Sequence, residues 1–566
     1  MSAERTDPDT PRGGLAIFHP TGETRLHRNP FGKDVANLQL WQALVRHGGF
    51  PRVDVQTVQI VGQDEVAQGL LAGSDSPTEV TTSLRIISSS ASELGALIRG
   101  LPDIAGLAWS RRRRASDRAY SLIGVIHTLA PPAVRQMIAA TSTAPVHPWD
   151  ALICTSPAVR DAVEALFGDW EAHLAERTGG QAPPRPMLPM IPLGVDAAAL
   201  AASAERAGAR ARARAPFGLS EDEALILWVG RLSYYEKAFP QPMFRAVQQA
   251  AAATGVRTAF VMAGWFPEAG EQRLYEQAAR AYAPGVDVHF VDGNDRERLA
   301  DLWAGADIFL SLVDNIQETF GITPLEAMAS GLPVVASDWD GYRATVRHGI
   351  DGFLVPTLGG PPGGGLGAAL LEWHTIDARS YQNYVGSVAQ HTAVHVGHAG
   401  EAIAELIRSP DLRRRMGRAG QARVRELYDW PVVARQIHAL TDELAAIRAA
   451  SADPPSGRPD PVGGDPFHAF AGFASDVLAL ETRLTAAPGA TATDIAEAGR
   501  LAALDTAYGE FRGSLALCAE AFQALAAAPS GLTVREVLLA FPVQRRRPLE
   551  LGLAWMAKCG FVDWLT

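Results

Sequence analysis

Cysteine is scarce in this chain of 566 residues, and its scarcity excludes two kinds of site. Only Cys154, Cys518 and Cys559 are present, an odd number without the spacing of metal ligands. Disulfide frameworks belong to oxidising compartments and need paired cysteines, whereas zinc sites need closely spaced ligands. The sequence therefore predicts a reducing, cytoplasmic environment, without a disulfide framework or a bound metal.

Long apolar runs and a basic surplus are also missing. No apolar run approaches the length of about 18 residues that suggests a membrane-spanning helix, and the polar first 14 residues lack the apolar core of a signal peptide. The 51 basic and 62 acidic side chains give a formal charge of −11, whereas nucleic-acid binders usually carry excess positive charge. We therefore expect a soluble protein that does not bind nucleic acid.

Short, continuously apolar runs alternate with amphipathic stretches through the first part of the chain. Continuous runs suit strands that are buried on both faces of a parallel sheet, and strand–helix alternation predicts a doubly wound α/β fold. The predicted strands are LAIFH (15–19), VDVQTVQI (53–60), LRIIS (84–88), LIGVI (122–126), ALIC (151–154) and MLPMI (187–191).

The pattern restarts after an Ala/Arg-rich stretch at 197–214, so we expect a second Rossmann-like half. Its predicted strands are ALILWVG (224–230), TAFVMAG (258–264), VDVHFV (286–291), DIFLSLV (307–313), PVVAS (333–337) and GFLVP (352–356). Beyond the second half, the Pro/Gly-rich segment 451–466 is typical of a linker. Residues 467–566 then predict a separate, mostly helical domain.

The segment QETFGITPLEAMASGLPVVAS (317–337) carries two carboxylates, Glu318 and Glu326. Pro324 favours a helix start, because proline is common in the first turn. Glu318 would then lie on the preceding loop, and the backbone amides of residues 320–322 could bind an anion at the helix N-terminus. Two glutamates at this spacing are common by chance, so the interpretation depends on the whole segment.

The segment WVGRLSYYEKAFP (228–240) places Arg231 and Lys237 directly after a buried strand that ends at Gly230. Cations at the carboxyl end of a parallel strand are well placed to hold a diphosphate, with arginine as a fork and lysine as a point charge. An ordinary solvated loop is the alternative interpretation of this segment.

Two positions in the first half also lie at predicted strand ends. Gly32 and Lys33 are predicted on a loop before a helix, where a backbone without a side chain suits close approach of a phosphate or a sugar. His127 follows LIGVI at the edge where ligands bind in open α/β sheets. A single glycine is weak evidence for a dinucleotide site, and a lone histidine is often structural.

The ordered motifs together resemble the retaining nucleotide-sugar glycosyltransferases of GT-B fold, the family of sucrose synthases and many bacterial mannosyl- and glucosyltransferases. The resemblance covers residues 15–450, roughly four-fifths of the chain. The motifs that carry it are GRL…EK, ETFGITPLEAMASGLPVVAS, HGIDGFLVP, SPDLRRRMGRAGQARVRELYDW (409–430), IPLGVD (191–196) and DALICTS (150–156).

This resemblance implies an architecture of two Rossmann-like domains that face a cleft, with a mostly helical C-terminal appendage. The expected boundaries are an acceptor domain at 13–200, a donor domain at 215–430, a helix at 431–450 that crosses back to the first domain, a linker at 451–466 and an accessory domain at 467–566.

The resemblance also implies the chemistry, which is transfer of a hexose from a UDP- or GDP-sugar to an acceptor hydroxyl with retention of configuration and without a metal or a cofactor. The acceptor would be a glycan, a lipid-linked molecule or a protein. The catalytic residues would be Glu318, Arg231, Lys237 and His127, and the nucleotide-sugar would contact Gly32, Gly230, Phe320, Gly321, Ile322 and Glu326.

The chain departs from this family in several places. The interval between Arg231 and Lys237 is one residue longer than expected, and Ala344 stands where many members carry glutamate. The 358–395 segment is longer than usual, and residues 467–566 have no counterpart in the family core.

Several interpretations stay open at this stage. Another nucleotide-sugar enzyme with two Rossmann-like halves, such as an epimerase, is the alternative enzyme, although the sequence offers no separate acid/base carboxylates for it. An inactive relative that acts as a scaffold through its C-terminal domain is the alternative from another class. The arginines at 111–114 and 206–214 are interpreted as solvated, with attraction of an anionic acceptor or of a membrane surface as the alternative for both stretches. The tail around 533–565 resembles a winged helix, for which packing or homo-oligomerisation is favoured over DNA binding.

Overall fold

The computed structural model describes residues 13–363, 365–377, 380–454, 457–501 and 513–565. It divides into two compact units, Met1–Pro459 and Asp460–Thr566. The first unit contains two six-stranded sheets, and in each of them every pairing is parallel. This is the pair of doubly wound halves that the apolar runs predict.

The first sheet has the order β3-β2-β1-β4-β5-β6. Its strands are β1 Gly14–Phe18, β2 Arg52–Thr57, β3 Glu79–Leu84, β4 Ala96–Arg99, β5 Ser121–Ile126 and β6 Ala151–Cys154. The α-helices of this half are Gly32–His47, Gln63–Leu71, Ser90–Leu94, Ala105–Arg114, Pro132–Ala139 and Pro157–Thr178, and Ala140–Ser142 is a 3-10 turn.

The second sheet has the order β12-β11-β10-β7-β8-β9. Its strands are β7 Ala224–Val229, β8 Thr258–Gly264, β9 Asp287–Asp292, β10 Ile308–Ser311, β11 Val334–Ser337 and β12 Gly352–Val355. The helices are Ala197–Ala204, Ala209–Arg214, Pro240–Thr254, Glu271–Tyr282, Arg296–Gly305, Ile322–Ala329, Tyr342–Thr345, Leu366–Thr375, Tyr381–Ala389, Val396–Arg408, Pro410–Arg423 and Trp430–Ala450. A 3-10 turn lies at Ala215–Phe217, a π turn lies at Val424–Tyr428, and β13 Thr357–Leu358 pairs with β14 Ala393–Val394.

Two predicted strands of the first half are wrong. The strand near 84–88 is Glu79–Leu84, and the apolar residues after it lie in a turn where Ile86 and Ile87 are 67% and 78% exposed. The segment 187–191 forms only isolated bridges to β6. Pro189 has no N–H to donate, so this segment cannot form a continuous ladder. The strand Ala96–Arg99 was not predicted at all.

The last helix of the first unit packs against the first sheet's own helices. Leu40 and Leu44 of Gly32–His47 share a buried core with Val433, Ile437 and other apolar residues of Trp430–Ala450. At the start of this helix, Val195 donates a backbone hydrogen bond to Tyr428 and accepts one from Trp430, at 2.9 and 3.1 Å. The two segments that connect the halves are therefore hydrogen-bonded side by side.

Two arginines of the arginine-rich segments, Arg111 and Arg214, are buried, which corrects their interpretation as solvated, whereas Arg113, Arg114, Arg206 and Arg212 are exposed. Arg111 is fully buried and forms hydrogen bonds of 2.6 and 2.9 Å with both carboxylate oxygens of Asp150. Arg214 is also buried and donates to Asp307 at 2.8 Å. A buried carboxylate and guanidinium each offset the desolvation of the other, so these arginines fasten helices to the sheets.

The second unit has a core of its own. It contains helices Pro466–Ala469, Ala492–Leu501, Leu515–Ala526, Val534–Leu539 and Val543–Lys558, a 3-10 turn at Ala471–Phe473, and an antiparallel sheet of β15 Arg483–Ala486, β16 Leu532–Thr533 and β17 Val562–Leu565 in the order β16-β15-β17. Its core includes Leu484, Phe522, Val537, Leu553 and Met556. The region is helical as predicted, with a small sheet in addition. In the part of the chain that the structure describes, no helix is long and apolar enough to span a membrane.

Candidate active site

The carboxyl ends of the central strands carry the predicted site residues of the second half. The loop after β7 holds Lys237 and the loop after β10 holds Glu318, and these two strands are neighbours in the sheet. Lys237 Nζ lies 3.0 Å from Glu318 Oε2. Their side chains are 28% and 16% exposed, so the pair is accessible to a ligand yet largely shielded from water.

Arg231 lies at the same edge, between aromatic rings that come from both halves. Its guanidinium carbon is 5.1 Å from the ring centre of Phe31, in the first half, and 5.9 Å from that of Trp265. Arg231 also forms an ion pair with Glu236, and Gln382 donates to the same glutamate at 2.9 Å. The sequence did not single out Phe31, Glu236 or Gln382, because their role depends on contacts between distant segments.

Gly321 is the N-cap of helix Ile322–Ala329, so this helix begins two residues before Pro324, its predicted first position. Gly321 has φ = +82°, and a Cβ added there would lie 1.9 Å from Cε1 of the buried Tyr342. Only glycine fits this combination of positive φ and close packing. Phe320 as a whole residue is only 3% exposed, so contact of its backbone with a ligand stays a prediction.

Glu326 lies in the second turn of the same helix, as the sequence predicted. Burial raises the pKa of its carboxyl to about 7, against a smaller opposing effect of Arg296. At pH 7 this carboxyl is therefore about half ionised, and it can accept a hydrogen bond from, or donate one to, a hydroxyl that enters the cleft. Its side chain is half-buried.

Gly32 and Lys33 belong to the first turn of helix Gly32–His47 and not to the loop before it, which corrects the prediction. The helix cap is Phe31, and its side chain makes no capping hydrogen bond. Free amides at a helix N-terminus attract anions. Because Phe31 contacts Arg231, this helix end and the guanidinium of the second half lie next to each other.

His127 is held by an amide network of the first half. Its Nε2 lies 2.8 Å from Asn37 Oδ1, and Asn37 Nδ2 donates to the Gly100 carbonyl at 3.2 Å. Since the Asn37 oxygen accepts, the hydrogen-bond network assigns the proton of neutral His127 to Nε2 and leaves Nδ1 as an acceptor. Burial, with the nearby Lys33, lowers the pKa of His127 to about 4, so the ring is neutral at pH 7.

Direct hydrogen bonds join the Glu318 loop to the first half. Thr319 Oγ1 donates to the His127 carbonyl at 2.6 Å, and Ser156 Oγ donates to the Thr319 carbonyl at 2.8 Å. On the other side, Asn29 and Asn294 exchange two hydrogen bonds of 3.1 and 2.8 Å. The predicted residues of the two halves therefore face one cleft, although their individual roles remain predictions.

No group of three or more His, Cys, Asp or Glu side chains that could hold a metal ion occurs within the described ranges.

Two parallel doubly wound sheets whose carboxyl edges meet across a cleft define the GT-B fold. Residues 209–358 match the family model described as "Glycosyl transferases group 1". This segment contains Arg231, Lys237, Glu318 and Glu326. Residues 209–358 therefore resemble the domain of these transferases, in agreement with the resemblance found in the sequence, and the two parallel sheets confirm the GT-B fold that it implies.

The similar proteins with curated names are also named as glycosyltransferases or mannosyltransferases. The chain is 31% identical over 244 residues to a D-inositol 3-phosphate glycosyltransferase of Mycolicibacterium smegmatis, an alignment that covers 43% of this chain and 52% of the relative. It is 34% identical over 173 residues to a phosphatidyl-myo-inositol mannosyltransferase of Mycobacterium leprae, which covers 30% of this chain and 36% of the relative. The chain thus spans about half, or less, of the length of these relatives.

Among solved structures, Anabaena HepE in complex with UDP-glucose aligns with 76% of this chain and 99% of its own length, at 16% identity and a TM-score of 0.48.

Proposed function

We propose that this protein is a retaining hexosyltransferase that moves a sugar from a UDP- or GDP-sugar to an acceptor hydroxyl, without a metal or another cofactor. The observation that carries the proposal is the 3.0 Å contact between Lys237 and Glu318 in a cleft that Arg231 also lines. A sugar diphosphate needs both kinds of group, which are cations for the phosphates and a carboxylate for the hydroxyls.

The diphosphate would bind between the halves. Arg231 has five N–H donors, of which Glu236 occupies only part, and the remaining donors suit phosphate oxygens. Lys237 supplies a second positive charge. The uncapped amides of the helix that begins at Gly32 lie next to Phe31, whose ring contacts Arg231. These groups replace the positive charge that a metal ion supplies in other transferases.

The sugar and the nucleoside would be held by the remaining site residues. Glu318 accepts hydrogen bonds from the transferred sugar, and the backbone amides of 320–322 approach the sugar and phosphate. Glu326 accepts from the ribose hydroxyls. Neutral His127 offers Nδ1 to a sugar hydroxyl, which a protonated ring could not do.

In the proposed reaction, the bond between the anomeric carbon and the diphosphate oxygen breaks while the acceptor oxygen attacks from the same face. The acceptor's proton moves to the leaving diphosphate, so no separate base is required. Arg231 and Lys237 stabilise the charge that develops on the leaving group, which is a preorganised electrostatic effect. Closure of the cleft would exclude water and limit hydrolysis of the donor.

A nucleotide screen tests this function. We expect one of UDP-, GDP- or ADP-glucose or the corresponding mannose donors to raise the melting temperature, since a ligand that binds only the folded state stabilises it. Slow hydrolysis of the same donor should persist in EDTA. No stabilisation by any donor would contradict the proposal and favour an inactive relative that acts as a scaffold.

A further inference from the structure

A second cavity lies beside the Glu318 loop, between the two halves of the first unit. Its volume is about 290 Å³. Helices Pro132–Ala139 and Pro157–Thr178 form one wall, with Arg135 and Val159 among the lining residues. The opposite wall consists of Thr319, Trp339 and Asp340, with Tyr384 from the long segment 358–395. None of the roles proposed above uses this groove.

Asp340 has a backbone conformation that residues other than glycine adopt infrequently, although aspartate and asparagine adopt it more often than most. Its φ is +41°, one of three non-glycine residues with positive φ in the described ranges. The next residue, Gly341, packs so closely on the Phe320 backbone that an added Cβ would lie 2.3 Å from Phe320 Cα, which fixes the local chain path. Glycine would relieve the strain at Asp340, so the carboxylate is present despite a backbone cost, a pattern that is common at functional sites.

The Asp340 carboxyl faces both the first half and the transfer loop. Ser156 Oγ lies 3.4 Å from its Oδ1 and also donates to Thr319, the neighbour of Glu318. Burial, together with the nearby Glu318 charge, raises the pKa of Asp340 to about 7. This carboxyl is therefore poorly hydrated and close to the carboxylate proposed to hold the donor sugar.

The other lining groups define the chemistry of a ligand for this groove. Trp339 is oriented by a 3.1 Å hydrogen bond from its indole N–H to the Asn315 carbonyl, and Tyr384 stacks on His374 with ring centres 5.5 Å apart. Fixed aromatic rings next to a carboxylate and a guanidinium suit a polyhydroxylated ring, which has apolar faces and hydrogen-bonding edges. Above about pH 7, where Asp340 is ionised, it opposes an anionic group next to its own carboxylate.

We propose that this groove binds the acceptor as an uncharged sugar or related ring polyol, and that Asp340 is a positioning residue that accepts a hydrogen bond from one of its hydroxyls. Thr319 lines the groove, follows Glu318 in the chain and donates to the His127 carbonyl, so a ligand in the groove lies beside the loop that carries Glu318. The assignment rests on the proposed transferase function and names the substrate class for its second site.

Three variants separate charge from backbone strain. Asp340→Asn removes the charge and keeps a side chain that tolerates positive φ, whereas Asp340→Gly removes both the carboxylate and the strain. Asp338→Asn, which alters a half-exposed aspartate two residues away that pairs with Arg343, is the matched control. Ligand-observed saturation-transfer NMR at pH 8.5, where Asp340 is ionised, would measure binding of methyl α-D-glucopyranoside, methyl α-D-mannopyranoside and methyl glucuronide to the full chain.

We expect at least one neutral glycoside to bind the unaltered protein and the glucuronide to bind at least tenfold more weakly. Asp340→Asn and Asp340→Gly should both weaken binding of that glycoside at least tenfold, even if Asp340→Gly raises the melting temperature. Asp338→Asn should leave glycoside binding unchanged. Unchanged glycoside binding by either Asp340 variant, or no glycoside binding by the unaltered protein, would overturn the proposal.

The donor screen is run in parallel on the same samples, which distinguishes the two failures. Donor stabilisation without glycoside binding would leave the transferase proposal standing and reject the groove. If no donor raises the melting temperature of the unaltered protein, the transferase function itself is rejected.

Discussion

The charged residues at the donor end of the cleft cancel in pairs. Arg231 is paired with Glu236, and Lys237 with Glu318, so two positive charges meet two negative ones. An incoming diphosphate must therefore compete with Glu236 for Arg231. A sugar hydroxyl can donate to Glu318 without breaking its ion pair with Lys237. Pairing before the ligand arrives keeps long side chains ordered, which lowers the entropic cost of binding.

Glu318→Gln tests the sugar contact with little change in shape. We expect transfer or donor hydrolysis to fall about 100-fold or more, the size of effect seen when one strong electrostatic contact to a reacting group is lost. The melting temperature should change by little, because Glu318 lies on a loop. Steady-state kinetics and a thermal melt would measure both.

The control is Glu443→Gln, which alters an exposed glutamate on helix Trp430–Ala450. Turnover by Glu318→Gln that matches this control would contradict the role of Glu318 in binding the sugar.

Asp314 makes the stability of the folded protein depend on pH. Burial raises the pKa of its carboxyl to about 7, from a usual 3.8, although Phe239 N–H donates to it at 3.3 Å. The unfolded group ionises near pH 4 while the folded group stays protonated until about 7. Its contribution to stability therefore falls as pH rises between those values.

Asp314→Asn removes this titration. We expect the melting temperature of the variant, relative to the unaltered protein, to rise by several degrees between pH 4.5 and pH 7.5. Thermal melts in matched buffers would measure the difference, and a constant offset across that range would show that Asp314 does not titrate as described.

At the scale of single elements, the turn into helix Ile322–Ala329 depends on a glycine. Gly321→Ala would combine a positive φ, which costs about 1–2 kcal/mol for a residue with a Cβ, with an overlap against Tyr342 that adds about 1–3 kcal/mol. We expect reduced stability in urea unfolding and reduced donor binding, since the amides of the helix start would move.

Gly349→Ala is the matched control for this change. Gly349 has φ = +76° but has open space around its Cβ position, so only the backbone cost should appear. Equal losses of stability in the two variants would show that the contact with Tyr342 does not constrain the turn.

Continuous apolar runs predicted ten of the twelve strands of the two parallel sheets, because strands buried on both faces leave a direct hydrophobic signal. The same signal misplaced the strand near 84–88, since exposed Ile86 and Ile87 cannot be told from buried residues by letter alone. The strand Ala96–Arg99 has only four residues, which is too short for a clear apolar run in the sequence.

The candidate site shows a similar limit. Glu318, Lys237 and Arg231 follow strand ends in sequence, so their placement at one edge could be predicted. The burial of Arg111 could not, because its partner Asp150 lies 39 positions away. Asp340 gave no signal either, since its importance depends on a backbone angle and on a cavity formed by both halves.

At the scale of the whole molecule, each unit has its own hydrophobic core. We expect a truncated chain that ends at Pro459 to fold and to keep the donor-induced rise in melting temperature, because the candidate site residues all precede that point. Circular dichroism and the thermal-shift screen on residues 1–459 would test this.

Loss of donor stabilisation in a folded truncated chain would contradict this expectation and assign the second unit a part in the site. Homo-oligomerisation through that unit, peripheral membrane contact and a cytoplasmic location remain predictions.

The crossing helix Trp430–Ala450 also has a consequence for how the protein is made. A ribosome completes the first sheet and its helices more than 200 residues before it produces the segment that covers Leu40 and Leu44. During that interval the nascent first half exposes an apolar face, which is a target for chaperones and a hazard for aggregation. Folding of the first half is thereby coupled to synthesis of the second, and chains that stop before residue 430 should be degraded readily.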